Sequence, residues 1–83
     1  MSRYLGDDNG RRIEVVTHWN TKCELLVDGK QVDSGAIPLL GGTLKLADTA
    51  NGTMVNVTSG NALRPKVVLV AGGEEQSLSR EKP

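Results

Sequence analysis

The chain has 83 residues, which suffices for one small domain and leaves no room for a second. Ten Lys plus Arg balance ten Asp plus Glu, so the chain lacks the basic surface that sequence-independent nucleic-acid binding requires. One cysteine excludes a disulfide framework and a Cys-rich zinc site, and apolar runs of about five residues exclude a membrane helix, which needs about twenty.

The amino-terminal residues are polar. The segment Gly6-Asp-Asp-Asn-Gly10 is typical of a loop, and we therefore predict a flexible segment over residues 1–10. The start lacks the apolar stretch of a secretory signal, which favours a cytoplasmic location. We expect a single β domain over residues 11–78, followed by a tail or linker over residues 79–83.

Two strands and a hairpin are predicted in the first half of this domain. Residues 13–18 and 23–27 alternate between the two faces of a strand and are rich in the β-branched residues that favour strands. Asp28-Gly29 comes next, and this dipeptide is typical of a type I′ hairpin turn, because both central residues of that turn need a positive φ. Residues 30–34 are expected to form the returning strand.

The second half shows the same succession of short strands and turns. Residues 43–47, 54–59, 66–71 and 74–78 are the predicted strands, and no stretch of ten residues shows the apolar spacing of a helix. The fold class that follows is all-β: a small antiparallel β-sandwich or barrel of about seven short strands.

Identical residues at similar spacing suggest an internal repeat. The matches are Val16, Thr17 and Asn20 with Val57, Thr58 and Asn61 at an offset of 41, and Leu26, Val27 and Gly29 with Leu69, Val70 and Gly72 at an offset of 43. They indicate a duplicated three-strand unit whose two copies pack face to face. The alternative is chance, because Val, Thr and Gly recur in every β protein.

Four segments of the chain, taken together, resemble a known β-sandwich. They are Ile13-Glu-Val-Val16, Cys23-Glu-Leu-Leu-Val-Asp-Gly-Lys30, Val67-Val-Leu-Val70 and Glu75-Gln-Ser-Leu78. This succession is similar to the sandwich of the Fas apoptotic inhibitory molecule family, whose strands end in a Val-Asp-Gly-Lys-type turn. The resemblance covers residues 11–78 and implies a compact antiparallel sandwich or barrel, and it carries no catalytic residue over to this chain.

Alternation also assigns the strand residues to an inner and an outer face, because a slip of one residue exchanges the two sets. The residues predicted to form the interior are Ile13, Val15, Cys23, Leu25, Val27, Leu44, Leu46, Val55, Val57, Val67 and Leu69. The residues predicted to face water are Glu14, His18, Glu24, Asp28, Lys45, Asn56, Thr58 and Lys66.

Several apolar residues lie on the strand faces that are predicted to be exposed to solvent, and they form a candidate contact surface. They are Val16, Leu26, Val68 and Val70, joined by Trp19 at the end of the first predicted strand. A flat apolar patch on a sheet is typical of a binding surface, and tryptophan is enriched among interface anchors. The alternatives are a second buried layer for the four aliphatic residues and core packing for Trp19.

Only one arrangement offers catalytic chemistry. His18 and Cys23, with an aspartate, have the residue types of a base, a nucleophile and an orienting group. No flanking residues support this arrangement, so we interpret His18 as an exposed strand histidine and Cys23 as a buried thiol. The segment Asp7-Asp-Asn-Gly10 lacks the ligand spacing of a calcium loop. We therefore predict no catalytic residue, no metal site and no cofactor.

These observations favour a non-catalytic β module that acts through protein–protein contacts, in an assembly or adaptor role, rather than an enzyme. Self-association or a protein partner is expected, because an aromatic-poor core in 83 residues leaves little margin of stability. Two alternatives stay open. One is a structural accessory protein of a virus or phage, such as a capsid decoration subunit, and the other is a cytoplasmic domain cut from a longer membrane protein.

Overall fold

Nine strands make up the described part of the molecule. The computed structural model describes residues 2–18, 21–38, 41–58, 66–71 and 73–80. The strands are β1 (Ser2–Asp8), β2 (Arg11–Thr17), β3 (Lys22–Val27), β4 (Lys30–Ala36), β5 (Thr43–Asp48), β6 (Thr53–Thr58), β7 (Lys66–Ala71), β8 (Glu74–Ser77) and β9 (Ser79–Arg80). Among these residues there is no helix of the length and hydropathy that a membrane crossing demands.

The strands form two antiparallel sheets. The five-stranded sheet has the order β4-β3-β2-β1-β9, and the four-stranded sheet has the order β5-β6-β7-β8. The first four strands form one meander and the next four form another, since neighbours in the chain are neighbours in the sheet. The apolar faces of the two meanders pack together in a sandwich-like fold, and the predicted all-β class is confirmed.

The prediction of a flexible segment over residues 1–10 is wrong, because residues 2–8 form β1. This strand pairs with β2 from Ser2↔Thr17 to Asp8↔Arg11, and Tyr4 is buried in the core. β1 lies between β2 and β9 and pairs with β2 along its whole length, although most of its side chains are polar. Polar composition indicates a loop only where no neighbouring strand pairs with the backbone.

The chain crosses from one sheet to the other at Leu78. The backbone N–H of Leu78 donates to Val67 O at 2.9 Å and so extends the pairing of β8 with β7, whereas Ser79 pairs with Leu5 of β1. The Leu78 side chain fills the space beside Gly6, where a Cβ would overlap it. This crossing joins the two sheets along one side, and it makes the start of the predicted tail part of the domain.

A β-bulge in β4 positions a side chain that connects the two sheets on the opposite side of the sandwich. The register shifts between Leu25 and Leu26 and leaves Val32 as the extra residue of β4. Asp33 Oδ2 then accepts a hydrogen bond of 2.8 Å from the backbone N–H of Ala47 in β5. The carboxylate thus occupies part of the β5 edge, with which a foreign strand would otherwise pair.

Two turns of the same type connect the first strands. Asn9 and Gly10 have φ values of 51° and 84°, and Asp28 and Gly29 have φ values of 52° and 82°. A positive φ at both central residues is the requirement of the type I′ turn, so the predicted hairpin at Asp28-Gly29 is confirmed. The same type of turn at Asn9-Gly10 reverses the chain, so that β2 pairs with β1.

The core lies between the two sheets and is mainly aliphatic. Ten of the eleven residues predicted to form it are buried, and Leu44 is half-buried and packs against them. Tyr4 and Leu78, from the two segments that were not predicted as part of the inner face, complete the cluster.

The prediction for the residues that face water is confirmed in part. Asp28, Lys45 and Lys66 are exposed, and four of the others are half-buried. Glu14 is a correction, since it lies on the outer face of β2 but is buried. Leucines on both neighbouring strands flank it, and its Oε1 lies 3.1 Å from Arg12 Nε, which keeps the buried carboxylate paired.

The two meanders match at a constant offset of 42 residues. Five buried core residues of each meander correspond: Tyr4, Ile13, Val15, Leu25 and Val27 in the first with Leu46, Val55, Val57, Val67 and Leu69 in the second. The predicted offsets of 41 and 43 are wrong, because an odd offset aligns outward residues with inward ones, such as Val16 with Val57. The two matching meanders have four strands each, whereas the predicted unit had three, and the duplication itself stays a prediction.

Candidate contact surface

The outer face of the four-stranded sheet carries a row of apolar side chains. Ala47, Met54 and Val70 lie side by side on β5, β6 and β7. Val68 lies in the next row, opposite Asn56. We call Ala47, Met54, Val68 and Val70 the apolar face. Met54 lies at the centre of this face and is 39% exposed, and the other three residues are half-buried.

Strand alternation places these side chains outside. In β6 the two neighbours of Met54, Thr53 and Val55, are buried between the sheets, so Met54 points outward. β7 is the run Lys66–Ala71, in which alternate residues are buried and two further valines remain outside. A strand that is apolar on both sides is typical of a sheet covered on both faces.

Charged residues stand at the margin of the apolar face. Lys45 and Lys66 lie in the rows beyond its centre, and Glu75 lies opposite Val70 at the β8 edge. Within the described part of the chain, none of these three forms an ion pair. An apolar centre with a polar rim is the usual anatomy of a protein interface.

The outer face of the five-stranded sheet carries charged side chains among its apolar ones. Val16 is only 6% exposed, and its cross-strand neighbours are Arg3 and Glu24, whose long side chains can cover apolar surface. His18 Nε2 lies 3.4 Å from Glu24 Oε1 on the same face. Charged groups therefore interrupt the apolar residues of this face.

The residues predicted to form a contact surface do not form one patch. Val68 and Val70 belong to the apolar face, whereas Val16 and Leu26 lie on the outer face of the other sheet, across the sandwich. The burial of Val16 also removes it from any free surface, which corrects its assignment. Trp19 lies outside the described residues. Alternation identifies the outward side of each strand, but it does not say which sheet the strand joins.

Two members of the apolar face, Met54 and Ala47, are absent from the sequence prediction. The sequence pattern could have placed Met54 on the outer face, because it stands two residues before Asn56, which alternation assigned to that face. No sequence pattern could have placed Ala47 there, since alanine is common on both faces of a sheet. Their alignment with Val70 depends on the pairing of β5, β6 and β7, which no local pattern contains.

The structure does not bring His18 and Cys23 together. Cys23 is buried in the core and pairs in register with Thr17, whereas His18 lies on the outer face beside Glu24. Burial raises the pKa of the Cys23 thiol to about 11, so the nucleophilic thiolate is scarce near neutral pH. Cys23 is the core thiol that the sequence predicts. No three His, Cys, Asp or Glu residues of the described ranges gather as a metal site would require.

A buried polar cluster joins the sheets where the end of β1 meets the start of β6. Asp8 is 8% exposed, and its Oδ2 accepts a 2.6 Å hydrogen bond from the Thr53 hydroxyl and one of 3.3 Å from Arg11 Nη2. Arg11 Nη1 donates to Asn51 Oδ1 at 3.1 Å, and Asn51 Nδ2 donates to Asp48 Oδ2 at 2.6 Å. The bond between Asp8 and Thr53 is buried and joins the two sheets, so the cluster contributes to their packing.

Comparison of the chain with family models, curated proteins and solved structures finds no match. The resemblance to the Fas apoptotic inhibitory molecule family therefore stays a prediction. The choice of function depends on the surface of this molecule alone.

Proposed function

We propose that the protein is a non-catalytic β module that acts through contact with another protein, and that the apolar face is its contact surface. The observation that supports this most is the row of Ala47, Met54 and Val70, with the most exposed side chain at its centre. Removing apolar surface from water drives most protein association, at about 25 cal/mol per Å². Methionine is unbranched and adapts its shape to a partner.

The contrast between the two outer faces supports this choice of surface. The outer face of the five-stranded sheet carries the ion pair of Arg12 with Glu14 and the close contact of His18 with Glu24. A partner that covered these groups would have to desolvate them, at a cost that their mutual attraction offsets only in part. The described residues of the apolar face present no such pairs.

The broad side of the whole molecule is large enough for a standard interface. The backbone of the molecule extends over 32 × 27 × 19 Å. A stable interface buries about 800 Å² on each partner, which is comparable with the broad side of a molecule of this size. The partner would then also cover the rim of the apolar face, where Lys45 and Lys66 favour a partner with acidic groups at the same positions.

Photo-crosslinking tests the proposal. One crosslinking residue replaces Met54, and a matched one replaces Val32, which is 37% exposed on β4 of the other sheet. We expect the probe at position 54 alone to capture a second copy of the chain or one protein of the producing cell. Purified, that partner should bind Met54→Lys at least about tenfold more weakly than wild type and bind Val32→Lys normally. Equal capture from both positions, or unchanged affinity of Met54→Lys, would overturn the proposal.

Two further hypotheses, a capsid decoration subunit and a cytoplasmic domain of a longer membrane protein, stay predictions. Both are compatible with a contact module, and no described residue favours one over the other.

A further inference from the structure

A slot opens between β1 and β8, where the two sheets separate. β9 pairs with β1 over only two residues, and the chain leaves the four-stranded sheet at Leu78. Residues 7–9 form one wall of the gap and residues 74–76 form the other, with Leu69 and Ala71 also lining it. We call this gap of about 460 Å³ the β1/β8 slot. Its volume is within the range of ligand pockets, about 300–1000 Å³.

Both walls of the β1/β8 slot are strand edges. β8 is the last strand of its sheet, and β1 continues past the end of β9 with residues 6–8. Backbone hydrogen bonds alternate along an antiparallel pair, and Leu78 bonds to β7, so Glu75 and Ser77 direct their backbone groups to the open side of β8. No strand of the described ranges pairs with that side. An open edge is a template for an added strand.

The walls of the β1/β8 slot carry an excess of negative charge. The lining includes the carboxylates of Asp7, Asp8, Glu74 and Glu75 and no basic side chain. Arg11 pairs with Asp8, and in the described part of the chain none of the other three forms an ion pair. Such a wall attracts a cationic group, and the half-buried Ala71 offers apolar surface to the methylene stem of a lysine or arginine.

We propose that the β1/β8 slot binds an extended basic segment of a partner protein, which adds as a strand to the open edge of β8. The backbone of the segment bonds at Glu75, and a Lys or Arg side chain lies over Ala71 with its charge directed to the carboxylates of Glu74 and Glu75. Charge complementarity selects this occupant, because an acidic or neutral segment would leave Glu74 and Glu75 without a counter-charge, whereas Asp8 already pairs with Arg11. The inference goes beyond the apolar face: the slot shares only Glu75 with the margin of that face and contains none of its four apolar residues, so either proposal can fail without the other.

Strand geometry limits the length of the bound segment. A wall of three residues spans about 10 Å at a rise of about 3.3 Å per residue, so three or four residues of the partner fit alongside it. In a strand, alternate side chains point to the same side. The segment should therefore carry basic residues at every second position, and the intervening residues should face outward.

An NMR titration of the full chain tests this inference. The probe is a capped peptide of alternating lysine and valine, five residues long. We expect saturable shifts of the backbone amides of residues 7–9 and 74–77 by about 1 mM peptide. We also expect slower hydrogen exchange at the Glu75 amide and weaker binding when NaCl rises from about 0.05 M to about 0.5 M. Absence of shifts in these residues would overturn the inference.

Matched peptides and variants separate strand addition from simple charge attraction. A peptide of alternating glutamate and valine, and a lysine peptide with methylated backbone nitrogens, should both fail to bind. Glu74→Gln combined with Glu75→Gln changes two exposed residues and should weaken binding about three- to tenfold, whereas Glu24→Gln on the other sheet should not. Met54→Lys should bind the peptide as wild type does. Equal binding of the methylated peptide, or the same shifts with calcium or spermidine alone, would overturn strand addition in favour of an unspecific cation site.

Discussion

The Thr53 hydroxyl donates a 2.6 Å hydrogen bond to Asp8 Oδ2, and this bond connects the two sheets through two buried side chains. Asp8 ends β1 and Thr53 begins β6, so the bond determines which ends of the two meanders meet. A buried carboxylate is stable only where donors surround it, since burial without a partner costs several kcal/mol. The pairing of these two residues therefore contributes to the specificity of the sandwich as well as to its stability.

Removing the hydroxyl should destabilise the fold. Thr53→Val keeps the shape of the side chain and leaves Asp8 without its shortest hydrogen bond, so we expect the free energy of unfolding to fall by about 1–3 kcal/mol. Urea unfolding followed by circular dichroism measures the change. Thr43→Val is the matched control, because the Thr43 hydroxyl meets the Thr58 hydroxyl at 3.2 Å in an exposed position and its loss should cost less than about 0.5 kcal/mol. Equal losses in both variants would contradict the role of Asp8.

The same carboxylate should make stability depend on pH in acid. The Thr53 hydrogen bond lowers the pKa of Asp8 from its ordinary value of 3.8, while desolvation opposes this shift and Arg11 supports it. A depressed pKa in the folded state stabilises the protein above the ordinary value, and the contribution disappears as pH falls through the folded pKa. We expect the stability difference between wild type and Asp8→Asn to be constant above about pH 5 and to shrink below about pH 4. A difference that grows on acidification in thermal unfolding would contradict this sign.

The core could be predicted because its signal is local. In β2, Ile13 and Val15 are two residues apart, and the same spacing separates Val55 and Val57 in β6, so alternation alone identifies the inward side. The hairpin at Asp28-Gly29 is local in the same sense, since two adjacent residues specify a type I′ turn.

The features of the fold and of the contact surface that could not be predicted depend on which strands become neighbours. Tyr4 stands among polar residues, and only the pairing of β1 with β2 and β9 makes it a core residue. Val16 and Glu14 are outward by alternation but buried, because they lie on β2 in the middle of a five-stranded sheet. The apolar face likewise combines residues of β5, β6 and β7, whose register is long-range information.

Substitutions of Gly29 test the hairpin turn that alternation and the dipeptide Asp28-Gly29 predict. Its φ is 82°, and a Cβ at this position would meet nothing within 4 Å, so any cost of substitution comes from the backbone and not from a clash. Gly29→Val should lower the free energy of unfolding by more than about 1 kcal/mol, because a β-branched residue avoids positive φ. Gly29→Asn is the control and should cost less, since asparagine tolerates this region. Unchanged urea midpoints for Gly29→Val would refute the assignment.

Cys23 should be inert in the folded protein. Burial both hides the thiol and raises its pKa to about 11, so at pH 8 little thiolate exists and reagents cannot reach it. We expect iodoacetamide to modify the native protein far more slowly than the protein in concentrated urea, as followed by mass spectrometry. Cys23→Ser, which loses the thiol, provides the blank. Modification at the same rate in both conditions would show that the core opens around β3.

Val16 and Val68 both point outward from their sheets, yet the same substitution should affect them differently. Val16 is only 6% exposed, and Val16→Thr places a hydroxyl in this buried position, so we expect a loss of about 1–3 kcal/mol in the free energy of unfolding. Val68 is half-buried on the apolar face, where threonine keeps the β-branch, and Val68→Thr should stay within about 0.5 kcal/mol of wild type.

Binding should show the opposite order. Val68→Thr makes the apolar face more polar, so it should weaken association with a partner or with a second copy, as measured by sedimentation at about 100 μM. Val16→Thr should leave association unchanged in whatever fraction stays folded, because Val16 lies across the sandwich from that face. If Val68→Thr unfolds the protein while Val16→Thr spares the fold and weakens association, the contact surface is the outer face of the five-stranded sheet. The burial of Val16 between the charged cross-strand neighbours Arg3 and Glu24 argues against that result, since a partner would have to desolvate both charged groups.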